Sequence, residues 1–151
     1  MIRYLSVAAL LAVGATIAYA QGLTGTAAVE ARKALMKEQG TAMYRVGTPM
    51  IKGEKAFDLP AATGVFKTVV ETVAKLKPLW PDDSQAGDHR SLPGIWKNKP
   101  DFEGWIDQVA KDAKDVGPTV KDAASFKAAF DKVNESCNGC HKDYRKPPEK
   151  K

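Results

Sequence analysis

Apolar side chains return with a helical period in four stretches of this chain, and no stretch of comparable length alternates as a strand would. Between Thr24 and about Val46, the residues Val29, Met36 and Met43 recur every seven positions with Ala28, Leu35 and Ala42 beside them. That spacing predicts one apolar stripe along a first helix, ended or bent by Gly47-Thr48-Pro49. A second stripe runs through Ala62, Phe66, Val69, Val73 and Leu76, with Pro60 suited to the first turn and Pro78 and Pro81 as stops. A third joins Phe102, Ile106, Val109, Ala113 and Val116, with Asp101 as candidate cap and Gly117-Pro118 as terminator. The fourth extends from near Asp122 through Phe126, Phe130, Val133, Cys137 and Cys140 to Tyr144. Four such stripes predict an all-α fold, an antiparallel four-helix bundle with its core between the stripes. The connection from Pro78 to Pro100 is long enough to be an overhand crossover between helices two and three, and Trp80 and Trp96 are its expected anchors.

The chain has 151 residues, 44% hydrophobic and 27% charged, a balance that excludes a disordered or collagen-like chain and fits one ordinary domain. Its first twenty residues differ from the rest. Arg3 precedes an uncharged, mostly apolar run from Leu5 to Ile17, and Ala18-Tyr19-Ala20 forms a small-x-small cleavage pattern. Residues 1–20 are therefore expected to be a cleaved signal peptide, leaving residues 21–151 as a single exported domain. The run is too short to span a bilayer, so no membrane span is expected after cleavage. The net charge of +5 is spread along the chain without a nucleic-acid module, and nucleic acid is set aside as a partner.

The two cysteines fall in one short motif, Cys137-Asn138-Gly139-Cys140-His141. Separations of three and four residues place the two thiols and the imidazole on one helix face, continuous with the stripe of Phe130 and Val133. Two thiols so placed can each add to a haem vinyl group while the imidazole reaches the iron, which is the c-type attachment pattern. Competing uses of the motif are a redox dithiol, a zinc site and a local disulfide. A redox pair belongs at the start of a helix, zinc needs more ligands than His89 can complete, and a disulfide leaves His141 without a role. One covalently attached haem c, with His141 as proximal axial ligand, is the expectation. Opposite His141, methionine gives a low-spin iron suited to moving one electron, whereas an open position leaves iron able to bind a small gas. Met36, Met43 and Met50 are the candidates, each also a plausible core residue. His89 is conceivable as a ligand but reads more simply as a solvated loop histidine.

The C-terminal Cys-x-x-Cys-His on the last of four helices, together with Val29-Glu30-Ala31-Arg32-Lys33-Ala34-Leu35-Met36-Lys37 in the first, resembles the class II cytochromes c, meaning cytochrome c prime and its low-spin, methionine-ligated relatives. The likeness extends to Lys52-Gly53-Glu54-Lys55-Ala56-Phe57-Asp58, Leu92-Pro93-Gly94-Ile95-Trp96 and Asp143-Tyr144-Arg145. It implies that Met36 faces the open side of the iron and that Arg32, four positions earlier, lies near a haem propionate. Arg145, one helical turn beyond His141, is expected on the proximal side. The function expected is that of a periplasmic, non-enzymatic carrier of single electrons through a Met36/His141-ligated haem. The alternative is a high-spin, five-coordinate protein that binds nitric oxide or carbon monoxide. Redox proteins, small gases and a second copy of the chain are the partners to consider. Lys142, Arg145, Lys146, Lys150 and Lys151 form a basic group fit to steer an acidic redox partner.

Overall fold

The computed structural model describes residues 22–147. The expected signal peptide, and Lys150 and Lys151 of the basic group, lie outside the described residues. Four long helices make the bundle. The first, α1, is Gly25–Gly40 and continues without a break through a π-helical segment, Thr41–Gly47, into a last α-helical turn, Thr48–Ile51. The others are α2, Leu59–Val73; α3, Lys99–Val116; and α4, Ala123–Tyr144. Short 3₁₀ turns at Lys77–Leu79 and Asp82–Ser84 and a helical turn at Gly94–Lys97 punctuate the α2 to α3 crossover. The described residues contain no strand, only an isolated bridge between Ser91 and Arg145.

Local chemistry accounts for most boundaries. Asp58 caps α2 by accepting the Ala61 N–H at 2.7 Å, with Pro60 in the first turn, where a missing N–H costs nothing. Asp122 and Ser125 form a reciprocal capping box at the start of α4. Two expectations need correction. Asp101 does not cap α3; Asn98 holds that position without a side-chain bond, and the Asp101 carboxylate instead accepts the Tyr144 hydroxyl. Of the end or bend expected at Gly47-Thr48-Pro49, the end is not found: the helix runs on to Ile51. Wider π winding absorbs the proline, whose lost N–H needs no partner one turn back, and Gly47 lets α1 lie directly on α4. A Cβ on Gly47 would meet the Phe130 ring at 2.8 Å.

The core lies between the four stripes as expected. Phe66, Val65, Val69, Val73, Ile95, Phe126 and Val133 are all buried at its centre. The crossover is pinned by its tryptophans: Trp80 packs edge-on against Phe102 at 4.7 Å and Trp96 at 6.0 Å between ring centroids, and Trp96 Nε1 donates to Pro81 O at 3.1 Å. Arg32 of α1 completes this anchor.

Candidate haem site

The motif occupies the last two turns of α4, and that end of the helix is held from three sides. Tyr144 donates its hydroxyl to Asp101 and packs against Phe102, both on α3, at 5.2 Å between centroids. The crossover joins the main chain beyond it: Leu92 N–H donates to Tyr144 O at 3.0 Å, Lys146 N–H to Arg90 O at 2.8 Å, and the Arg90 guanidinium back to Lys146 O. Within the motif, Gly139 is required by packing. A Cβ there would lie 2.4 Å from the Trp105 ring, so α3 can seat its tryptophan against the turn between the two cysteines only if that position is bare.

All six side chains singled out from the sequence line one cavity of about 760 Å³: Arg32 and Met36 from α1, Cys137, Cys140 and His141 from α4, and Arg145 just beyond it. That volume lies in the ordinary range for a bound cofactor, roughly 300–1,000 Å³. Its apolar wall includes Met43, Val69, Trp80, Ile95 and Phe102. Of the three candidate methionines, Met36 and Met43 border the cavity, while Met50 is buried in the core away from it. His89 also borders it but is not free to turn inward. Its Nδ1 accepts the Ser91 N–H at 3.2 Å, which leaves Nε2–H to donate to Gln85 O at 3.0 Å. It is a half-buried, doubly bonded loop histidine rather than a solvated one.

Burial shapes the chemistry of the motif. It pushes the Cys137 thiol up to about 11, with the Asp112 carboxylate adding to the effect, and the Cys140 thiol up to about 12. Both are free, protonated thiols at neutral pH, the opposite of a redox dithiol, which needs one thiol depressed. Burial, with the positive charges of Arg145 and Arg90, brings His141 down to about 4. The imidazole is therefore neutral at pH 7, the form that ligates a metal. Among the described residues no three His, Cys, Asp or Glu side chains gather into a metal cluster of their own. These facts disfavour the dithiol and zinc readings.

The family model for cytochrome c' matches residues 27–145. The chain belongs to the cytochrome c' family. The chain is 33% identical to cytochrome c-555 of Bradyrhizobium diazoefficiens over 115 residues, 74% of this chain and 77% of that protein. It is 30% identical to cytochrome c-556 of Rhodopseudomonas palustris over 122 residues, 78% of this chain and 81% of that one. The solved structure of cytochrome c' from Rhodopseudomonas palustris superposes with a TM-score of 0.76 at 33% identity, covering 81% of this chain and 98% of that one. The chain is thus a monohaem class II cytochrome whose cofactor is covalently attached haem c.

The cavity of this cytochrome c' family member fits such a group on its own evidence. Three buried side-chain nitrogens lack a partner among the described residues: Arg32 Nε, Gln39 Nε2 and Trp80 Nε1. All three belong to residues of the cavity wall and all are donors, as a group bearing two carboxylates requires. Arg32, Lys33, Lys37, Arg90 and Arg145 around the cavity outnumber Glu30 and Asp88. Arg32 itself is neither a surface residue nor a side chain reserved for the cavity. It is only 2% exposed, and its guanidinium donates to Leu79 O at 3.1 Å, Ser84 Oγ at 2.8 Å and Ser84 O at 2.9 Å, lying 4.4 Å from the Trp80 ring centroid. These bonds use both Nη1 hydrogens and one on Nη2, leaving Nε–H and the second Nη2–H. Sequence periodicity missed Tyr44, Arg90 and Ser91 as wall residues, because the π winding of α1 and the closure of the crossover onto α4 bring them there, and it missed Gln39 because an apolar stripe leaves out a polar residue on the face of Arg32 and Met36.

Proposed function

We propose that this cytochrome carries single electrons in the periplasm, and that His141 and Met36 would ligate its haem iron while Cys137 and Cys140 would attach the haem through thioether bonds. The observation that carries this reading is the convergence of Met36 from α1 with Cys137, Cys140 and His141 from α4 on the wall of one cavity. The group supplies a one-electron Fe(III)/Fe(II) couple when bound. Everything else is done by the chain. Its half-buried, neutral imidazole is presented at the end of a helix held by Tyr144 and Arg90. The unused N–H groups of Arg32 suit a propionate carboxylate, and Arg145 neighbours His141 closely enough to depress its protonation. Among the described residues no helix is long and apolar enough to cross a membrane. Relatives named c-555 and c-556 match the chain at 33% and 30% identity, and a solved structure named cytochrome c' matches it at 33%, so the open-position reading stands as the competitor. Met36→Ala decides between them. On the carrier reading it converts a low-spin spectrum to high-spin and opens the iron to carbon monoxide. If the variant and the unmodified protein share one high-spin, gas-accessible spectrum, gas binding takes the place of electron carriage.

A further inference from the structure

Asp112 is the only buried carboxylate among the described residues, 5% exposed, and the cavity makes no use of it. It sits on α3 facing α4. Ser136 Oγ donates to its Oδ2, Gln108 Nε2 donates to its Oδ1 at 2.9 Å, and Lys132 Nζ lies 3.8 Å from Oδ1. Ser136 is itself 5% exposed and immediately precedes Cys137. If the only task here were to join two helices, an apolar pair would do as well, since a buried charge must first recover its desolvation cost. Two hydrogen bonds and a half-exposed lysine keep this one ionised. Burial pushes the carboxyl up, but the bonds from Ser136 and Gln108 and the charge of Lys132 more than offset it and hold the group below its ordinary value. The same negative charge is felt at Cys137, where it adds to the effect of burial on the thiol.

We propose that Asp112 tunes the reduction potential: held by Ser136, the residue before Cys137, its buried negative charge stabilises the oxidised haem and lowers the potential. Reduction adds one electron from an external donor to Fe(III), giving Fe(II), with no proton taken up by Asp112, which is ionised in both states. Lys132 is its partial counterweight. The proposal rests on attachment through Cys137, so the holoprotein is first checked by intact mass; a mass without haem would count against the attachment, not against Asp112.

The test is a mediated spectroelectrochemical titration of the holoprotein at neutral pH. Asp112→Asn keeps the shape and most of the hydrogen bonding but removes the charge. The potential is expected to rise by a shift on the order of tenfold in the reduction equilibrium, about 59 mV for a one-electron couple. The shift should persist in 1 M salt, because a buried charge is poorly screened. Ser136→Ala, which removes a hydrogen bond and no charge, is expected to move the potential much less, and Lys132→Gln is expected to lower it. Opposite signs for Asp112 and Lys132 are what a purely structural pin would not produce. The proposal is overturned if Asp112→Asn folds with an unchanged haem spectrum and an unchanged or lower potential, or if Ser136→Ala shifts it as far and in the same direction. Should Asp112→Asn fail to fold, Lys132→Gln decides: a lower potential supports the proposal and an unchanged one refutes it.

Discussion

Arg32 shows how one side chain can serve two structures. A guanidinium buried to this depth without a carboxylate partner is held by carbonyl and hydroxyl oxygens of the crossover and by the face of Trp80, and burial lowers its pKa from the ordinary arginine value. Arg32→Leu removes three bonds and leaves Leu79 O and Ser84 O without their donor. It is expected to destabilise the fold by about 2–4 kcal/mol, read from the urea midpoint at constant slope. A loss under about 0.5 kcal/mol, typical of surface changes, would show that the anchor is dispensable. The sequence made Arg32 legible as a residue four positions before Met36, but not as a loop anchor, since its partners lie some fifty residues away. Gly139 was equally silent. Nothing local in Cys-x-x-Cys-His says that the second intervening position must be bare; Trp105 of the neighbouring helix imposes it. Gly139→Ala is expected to cost about 1–3 kcal/mol by overpacking, and Trp105→Leu in the same chain should recover part of it. Additive losses in the double variant would contradict that packing.

At the scale of elements, the four stripes were readable because each helix buries one face, and a period near 3.6 survives in the sequence whatever it packs against. Gly47-Thr48-Pro49 was expected to end or bend α1, and the helix runs through it to Ile51 for a physical reason. Pro49 forbids an ordinary α-helical hydrogen bond, but it does not forbid a wider turn, and the choice depends on Gly47 lying against Phe130. The C-terminus of α4 depends on a different long-range contact, the bond from Tyr144 to Asp101. That bond, together with burial and the charge of Asp101, pushes the Tyr144 phenol up to about 12. A group raised in the folded state gives its full contribution below the ordinary tyrosine value near 10 and loses it as pH rises toward the folded one. Stability toward urea should therefore fall between about pH 10 and 12. Tyr144→Phe should be less stable below pH 10 and flatter across that window, and an unaltered slope would remove Tyr144 as its cause.

The whole molecule gathers into one cavity what the chain spreads over more than a hundred positions, from Arg32 to Arg145. The motif and its flanking turn, the first-helix stripe and the resemblance to class II cytochromes together named six of its wall residues. Its cationic rim and the binding of His89 into the crossover were hidden, because both follow from the loop closing on the end of α4. Lys142, Arg145 and Lys146 are exposed at that end. If they steer an acidic partner, electron exchange with it slows as ionic strength rises, and Lys142→Glu with Lys146→Glu weakens that dependence without altering the haem spectrum. An identical salt dependence in the double variant would place the docking face elsewhere. Most direct of all is the spin state of the unmodified holoprotein, read from ferric and ferrous optical and magnetic resonance spectra before and after exposure to carbon monoxide. Ligation of the iron by both His141 and Met36 predicts low-spin spectra in both oxidation states and no ready uptake of the gas. A high-spin protein that binds carbon monoxide at once would contradict it.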